Sequence, residues 1–168
     1  MVKTILDKNS PVEALSKMGG KAQNLYLMGT QGVVVPDWCC IPSDLYVTNL
    51  KLIHQEIKAH LADINLSNLE EIKLKSKKIE NIFLKLEIHS NILDEIKLHF
   101  KTNKYYAIRS SAVGEDGHDS SYAGQLSTYL FVKEADIEDK IKKCWASGFS
   151  ERVIQYNALN SRDYDSLS

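Results

Sequence analysis

The chain has 168 residues, 43% of them hydrophobic and 26% charged, with a formal net charge of -1. That length supports about one domain with a small subdomain, and the composition is that of an ordinary globular protein. A near-neutral balance supplies no polycation field for nucleic acid or an anionic membrane, so any anion site must be built from a few placed groups.

The first ten residues carry Lys3, Asp7 and Lys8 and no long apolar core, unlike a signal peptide. No stretch approaches the ~20 apolar residues of a membrane helix. Cys39, Cys40 and Cys144 lack the spacing of a zinc site and read as reduced thiols. The expected location is the cytoplasm.

Pro11-Val12-Glu13-Ala14-Leu15 reads as a short helix start with Ser10 as candidate N-cap. Gly19-Gly20 interrupts the chain, and residues 21–28 resume as a short helix ending near Gly29. Gly32 precedes the β-branched run Val33-Val34-Val35, which Pro36 closes; Trp38 to Ile41 continues as an extended apolar segment. Ser43-Asp44 signals the N-terminus of a helix carrying Leu45, Leu52, Ile53 and Ile57.

Residues 66–100 have a helical pattern, with Leu69, Ile72, Ile79, Ile82, Phe83 and Leu86 recurring on one face. Ser90-Asn91 interrupts it and caps a second helix holding Leu93 and Ile96. Lys73, Lys75, Lys77 and Lys78 have no interleaved aromatics and read as a solvated face. Residues 105–109 and 127–132 read as strands flanking a polar loop. A helix over 136–149 places Ile137, Ile141 and Trp145 at spacings of four, and Ser150-Glu151-Arg152 opens another running to about Leu159. The tail beyond residue 159 is polar.

Two blocks carry the chemistry. Gly19-Gly20-Lys21 precedes a helix: glycines let amides approach an anion, the helix terminus adds partial positive charge, and the lysine adds a full one. It is not a Walker A loop, which needs G-x-x-x-x-G-K-[ST]; the competing reading is a turn with a solvated lysine. The second block is Arg109-Ser110-Ser111-Ala112-Val113-Gly114-Glu115-Asp116 with Ser120-Ser121-Tyr122-Ala123-Gly124-Gln125. Arg109 can grip two phosphate oxygens at once, and the serines can donate hydroxyl bonds. The competing reading is a surface hairpin with Arg109 paired to Glu115 or Asp116. No G-x-S-x-G elbow is present. His54, His60, His89 and His99 fall in helical stretches and read as surface residues, whereas His118 lies in the polar loop. Trp38 and Trp145 read as core.

These motifs, with Gly32-Val33-Val34-Val35-Pro36-Asp37-Trp38, Leu126-Ser127-Thr128-Tyr129-Leu130 and Cys144-Trp145-Ala146-Ser147, resemble one pattern across about residues 10–160. It is the N-terminal nucleotide-binding region of the phosphoenolpyruvate synthase and pyruvate, phosphate dikinase family, which rifampicin phosphotransferases and glucan, water dikinases share. Asp37 and Trp38 depart from it, standing where the family usually has glycine and phenylalanine.

The resemblance implies an α+β fold: the N-terminal part of an ATP-grasp domain spanning 1–168, with an antiparallel or mixed sheet and a helical insertion about 43–103. It implies ATP and Mg2+ as cofactors, with the metal ligands outside this chain. Lys21, Arg109, Gly124 and Thr128 match nucleotide-site positions, and Ser111 and Gln125 join them as nucleotide-binding candidates. The loop over residues 120–125 would lie across the phosphates. The implied activity is transfer of a phosphoryl group from ATP to a histidine on a carrier domain. The second ATP-grasp lobe, the phosphohistidine domain and the acceptor domain are expected beyond Ser168, so this chain alone is expected to be inactive. The alternative is a stand-alone, non-catalytic module that binds a nucleotide, another anion or a partner.

Overall fold

A computed structural model describes residues 4–100, 104–111, 116–117, 120–121 and 126–159. Its secondary structure is mixed: six α-helices and two small antiparallel sheets among the described residues. The class is α+β.

The helices follow from apolar spacing and caps. A 3-10 helix over Val12–Lys17 leads to α1 (Gly20–Thr30). Ser10 does not cap it: Pro11 takes the cap position, and the Ser10 hydroxyl accepts the Asp7 N–H at 2.9 Å. Next comes α2 (Ser43–Leu61), with Pro42 as its N-cap and Asp44 in its first turn. There Asp44 meets Lys17 at 2.7 Å, a pair exposed enough to contribute little.

Helix α3 (Leu69–Leu84) starts at Asn68, whose side chain accepts the Glu71 N–H at 3.2 Å. Lys73, Lys77 and Lys78 face water as expected, whereas the Lys75 side chain is only 17% exposed; Lys75 pairs with Glu71 and Lys77 with Glu80. Helix α4 (Ser90–His99) begins after an extended break at His89. Helices α5 (Ile137–Ala146) and α6 (Glu151–Leu159) are joined by a 3-10 turn over Ser147–Phe149.

Strands β1 (Tyr106–Arg109) and β4 (Thr128–Val132) form one two-stranded sheet. Tyr106 pairs with Val132, Ile108 with Tyr129 and Arg109 with Thr128. Three residue steps on β4 oppose two on β1, so β4 carries a bulge. Phe131 absorbs it at φ 54°, a left-handed conformation rarely adopted by an aromatic residue. Strands β2 (Asp116–Gly117) and β3 (Ser120–Ser121) pair as a short hairpin.

Three apolar clusters hold these elements. The first joins α2, α3 and the α5–α6 region around Ile57, Ile72, Ile79, Phe83 and Ile154. The second packs Ile92 and Ile96 of α4 with Ile137 and Ile141 of α5 under the inner face of β1–β4. The third gathers Ala14, Met18, Ala22, Tyr26 and Trp38.

Two periodicity readings need correction. The expected apolar face of α2 includes Leu52, yet that side chain is 76% exposed, while Ile53 and Ile57 are buried. Leu69, at the first turn of α3, also faces water. A third correction concerns Val33-Val34-Val35, which forms no strand, and Val34 is 97% exposed. In that region Cys40 forms an isolated bridge, exchanging backbone hydrogen bonds with Leu6 at 2.8 and 2.7 Å.

Candidate nucleotide site

The site is assembled at the N-terminus of α1. Gly19 is buried in an extended conformation, and α1 starts at the next residue. A Cβ placed on Gly19 would fall 1.6 Å from the Ser111 carbonyl oxygen and 2.8 Å from the Ser111 hydroxyl. Only glycine fits this approach of backbone to backbone. The Ser111 hydroxyl in turn accepts the Ala22 N–H at 3.1 Å, satisfying one of the orphan amides of the α1 first turn. The two blocks singled out in the sequence therefore touch, although 89 residues separate Ala22 from Ser111.

The sheet adds the second half. Arg109 and Thr128 are directly paired across β1 and β4, and both are exposed. Opposed residues of an antiparallel ladder project from the same face, so the guanidinium and the hydroxyl belong to one outward surface. Their neighbours Ile108 and Tyr129 are half-buried on the opposite face and pack on the second apolar cluster. Lys21 lies half-buried in the first turn of α1, one residue beyond the glycines. Thus Lys21, Arg109, Ser111 and Thr128 are carried by elements in mutual contact. Gly124, Gln125 and His118 lie outside the described residues.

Behind this surface lie two supports to which the motifs assign no role. The first is Cys40, whose sulfur receives a backbone hydrogen bond from Gly19 and donates to the Ile41 carbonyl at 3.3 Å. Burial, opposed by the Gly19 amide, pushes the thiol up to about 11. The second is the junction of β4 with α5. The Ser147 hydroxyl, 5% exposed as a residue, accepts the Ser127 N–H at 3.1 Å and donates to the Cys144 carbonyl at 2.6 Å. The Cys144 thiol points at the Ser127 carbonyl at 3.6 Å.

His99 corrects another expectation. It is not a surface residue: its side chain is 13% exposed, with Nδ1 3.5 Å from Asp7 and Nε2 3.4 Å from Asp37. Spacing along α4 could not reveal this, because both carboxylates come from the N-terminal segments. Trp38 is core as expected, whereas Trp145 is half-buried.

Among the described residues, no group of three or more His, Cys, Asp or Glu side chains is placed to hold a metal ion. None of their helices is long and apolar enough to cross a membrane.

Residues 15–168 match the pyruvate phosphate dikinase AMP/ATP-binding domain. The chain belongs to this family. It is 33% identical over 158 residues to the rifampicin phosphotransferase of Bacillus cereus, a match covering 90% of this chain and 18% of the relative. It is 31% identical over 193 residues to a probable phosphoenolpyruvate synthase of Pyrococcus horikoshii, covering 89% of this chain and 24% of the relative. Against the phosphoenolpyruvate synthase of Helicobacter pylori it is 34% identical over 147 residues, covering 81% and 18%. The chain therefore spans about a fifth of the length of these curated relatives. Family membership makes it a nucleotide-binding module of the dikinase type, with ATP as its ligand.

Proposed function

We propose that the surface carrying Lys21, Arg109, Ser111 and Thr128 grips the phosphates of ATP in the first lobe of an ATP-grasp site. Gly124 and Gln125, which the family resemblance adds as nucleotide-binding candidates, lie outside the described residues. The observation that carries this reading is the meeting of two motif blocks: the Gly19 turn against Ser111, and Arg109 opposite Thr128. A lysine at a helix N-terminus and an arginine on the neighbouring sheet are groups suited to an anion receptor. Phosphoryl transfer depends mostly on positioning and charge neutralisation, which such groups provide. The domain would serve a dikinase-type phosphotransferase of the phosphoenolpyruvate synthase kind, passing a phosphoryl group from ATP to a histidine on a carrier domain. Mg2+ would arrive with the nucleotide, its protein ligands supplied by a second lobe.

Calorimetric titration of Mg-ATP into the chain tests this reading. Lys21→Ala and Arg109→Ala should each weaken binding by roughly tenfold or more, since each removes a charge-assisted contact. Binding unaltered by both substitutions would remove these residues from the site.

A further inference from the structure

We propose that Ser147 is a positioning residue for the nucleotide site: its buried hydroxyl fixes the Ser127 peptide and thereby sets Thr128 opposite Arg109. The inference rests on the nucleotide-binding reading of Thr128.

The geometry is a closed ring of contacts between β4 and the end of α5. Ser147 Oγ accepts the Ser127 N–H at 3.1 Å and gives its own proton to the Cys144 carbonyl at 2.6 Å. Cys144 Sγ lies 3.6 Å from the Ser127 carbonyl. Both backbone polar groups of Ser127 thus face side chains of one helical turn. Ser127 lies one residue before β4, whose first paired residue is Thr128 opposite Arg109. An unpaired peptide N–H there would carry a desolvation cost.

The position is well suited to the task. Ser147 is the first residue after α5, in a turn whose Ser147, Gly148 and Phe149 are all buried. Phe149 packs in the first apolar cluster, with its ring centroid 5.7 Å from that of Phe83. The hydroxyl therefore projects from a rigid platform, while Thr128, one residue from the clamp, is exposed. The ring acts through a peptide and touches no phosphate, so its effect reaches the ligand only by orientation.

The experiment pairs amide hydrogen exchange with Mg-ATP titration on four forms of the chain: wild type, Ser147→Ala, Ser127→Ala and Thr128→Ala. In Ser147→Ala the Ser127 amide should exchange about fivefold faster, the change a net hydrogen bond is worth. Amides within α5 should be unchanged, and nucleotide binding should weaken several-fold. Ser127→Ala keeps the peptide that the clamp holds and should behave as wild type in both measurements. Unchanged Ser127 exchange in Ser147→Ala overturns the clamp. Faster exchange with undiminished binding overturns its positioning role, provided Thr128→Ala binds more weakly than wild type. If Thr128→Ala binds like wild type, or the wild type binds no Mg-ATP, the reading of Thr128 as a nucleotide residue falls and takes the positioning role with it; the exchange data still decide whether the clamp exists.

Discussion

Gly19 and Ser111 are in backbone contact: a Cβ on Gly19 would overlap the Ser111 carbonyl oxygen at 1.6 Å. This joins the start of α1 to the end of β1 and gives both motif blocks one location. Gly19→Ala should therefore do more than restrict a turn. The carbonyl belongs to backbone and cannot swing aside, so either the turn or the strand end must move. The expected cost is about 1–3 kcal/mol, as for overpacking, with nucleotide affinity falling alongside. Urea denaturation and Mg-ATP titration of the same variant would show both losses; a stability equal to wild type would contradict the contact.

Ser111→Ala probes the same junction more gently. It removes the hydroxyl that accepts the Ala22 N–H and leaves the close backbone approach intact. The loss should resemble that of a helix cap, about 1 kcal/mol. Amide exchange should locate it at Ala22, with later turns of α1 unaffected.

The Cys40 thiol sits between the Gly19 amide and the Ile41 carbonyl, and burial pushes it up to about 11. Because the folded state holds its proton more tightly than the unfolded chain does, the thiol's contribution to stability is complete below the ordinary thiol range. It is lost as pH rises from about 9 towards 11. Other groups titrate in that window, so the measurable quantity is the difference between wild type and Cys40→Ser. That difference should shift against wild type with rising pH. Alkylation of Cys40 at pH 8 should also be slow, because little thiolate is present.

His99 links α4 to two otherwise separate segments through Asp7 and Asp37. Asp7 is 2% exposed, so His99→Ala would leave a buried carboxylate with one fewer partner. Glu95, one turn earlier on α4, accepts the Thr4 and Ile5 N–H groups at 2.8 and 3.0 Å and should keep the segment docked. The expected outcome is a loss of about 1–3 kcal/mol in urea denaturation without loss of helix content. A variant as stable as wild type would mean the contacts of His99 with Asp7 and Asp37 contribute nothing.

Much of the fold was legible because its signals are local. Ile72, Ile79, Ile82 and Phe83 repeat at helical spacing and do form the buried face of α3. Segments 105–109 and 127–132, read as strands from β-branched and aromatic content, pair as β1 and β4. Val33-Val34-Val35 has the same content and forms no strand. Strand propensity describes a residue's fit to a pleated surface, and among the described residues the bridge in this region is the isolated one of Cys40 with Leu6. Likewise, the bulge at Phe131 follows from fitting β4 to β1 and the helices beneath, and no residue of the segment announces it.

For the candidate site, sequence alone determined which residue types could meet a phosphate: glycines and a lysine before a helix, and an arginine leaving a strand. Their chemistry is a property of the residues themselves. Only the tertiary structure decided that they meet, because the approach of Gly19 to Ser111 and the pairing of Arg109 with Thr128 depend on how separate segments pack. The same holds for the supports behind them. Ser147 belongs to one of the resembling motifs, yet nothing local gives it or Cys40 a partner there; each acquires one when packing places it beside a backbone amide that needs an acceptor.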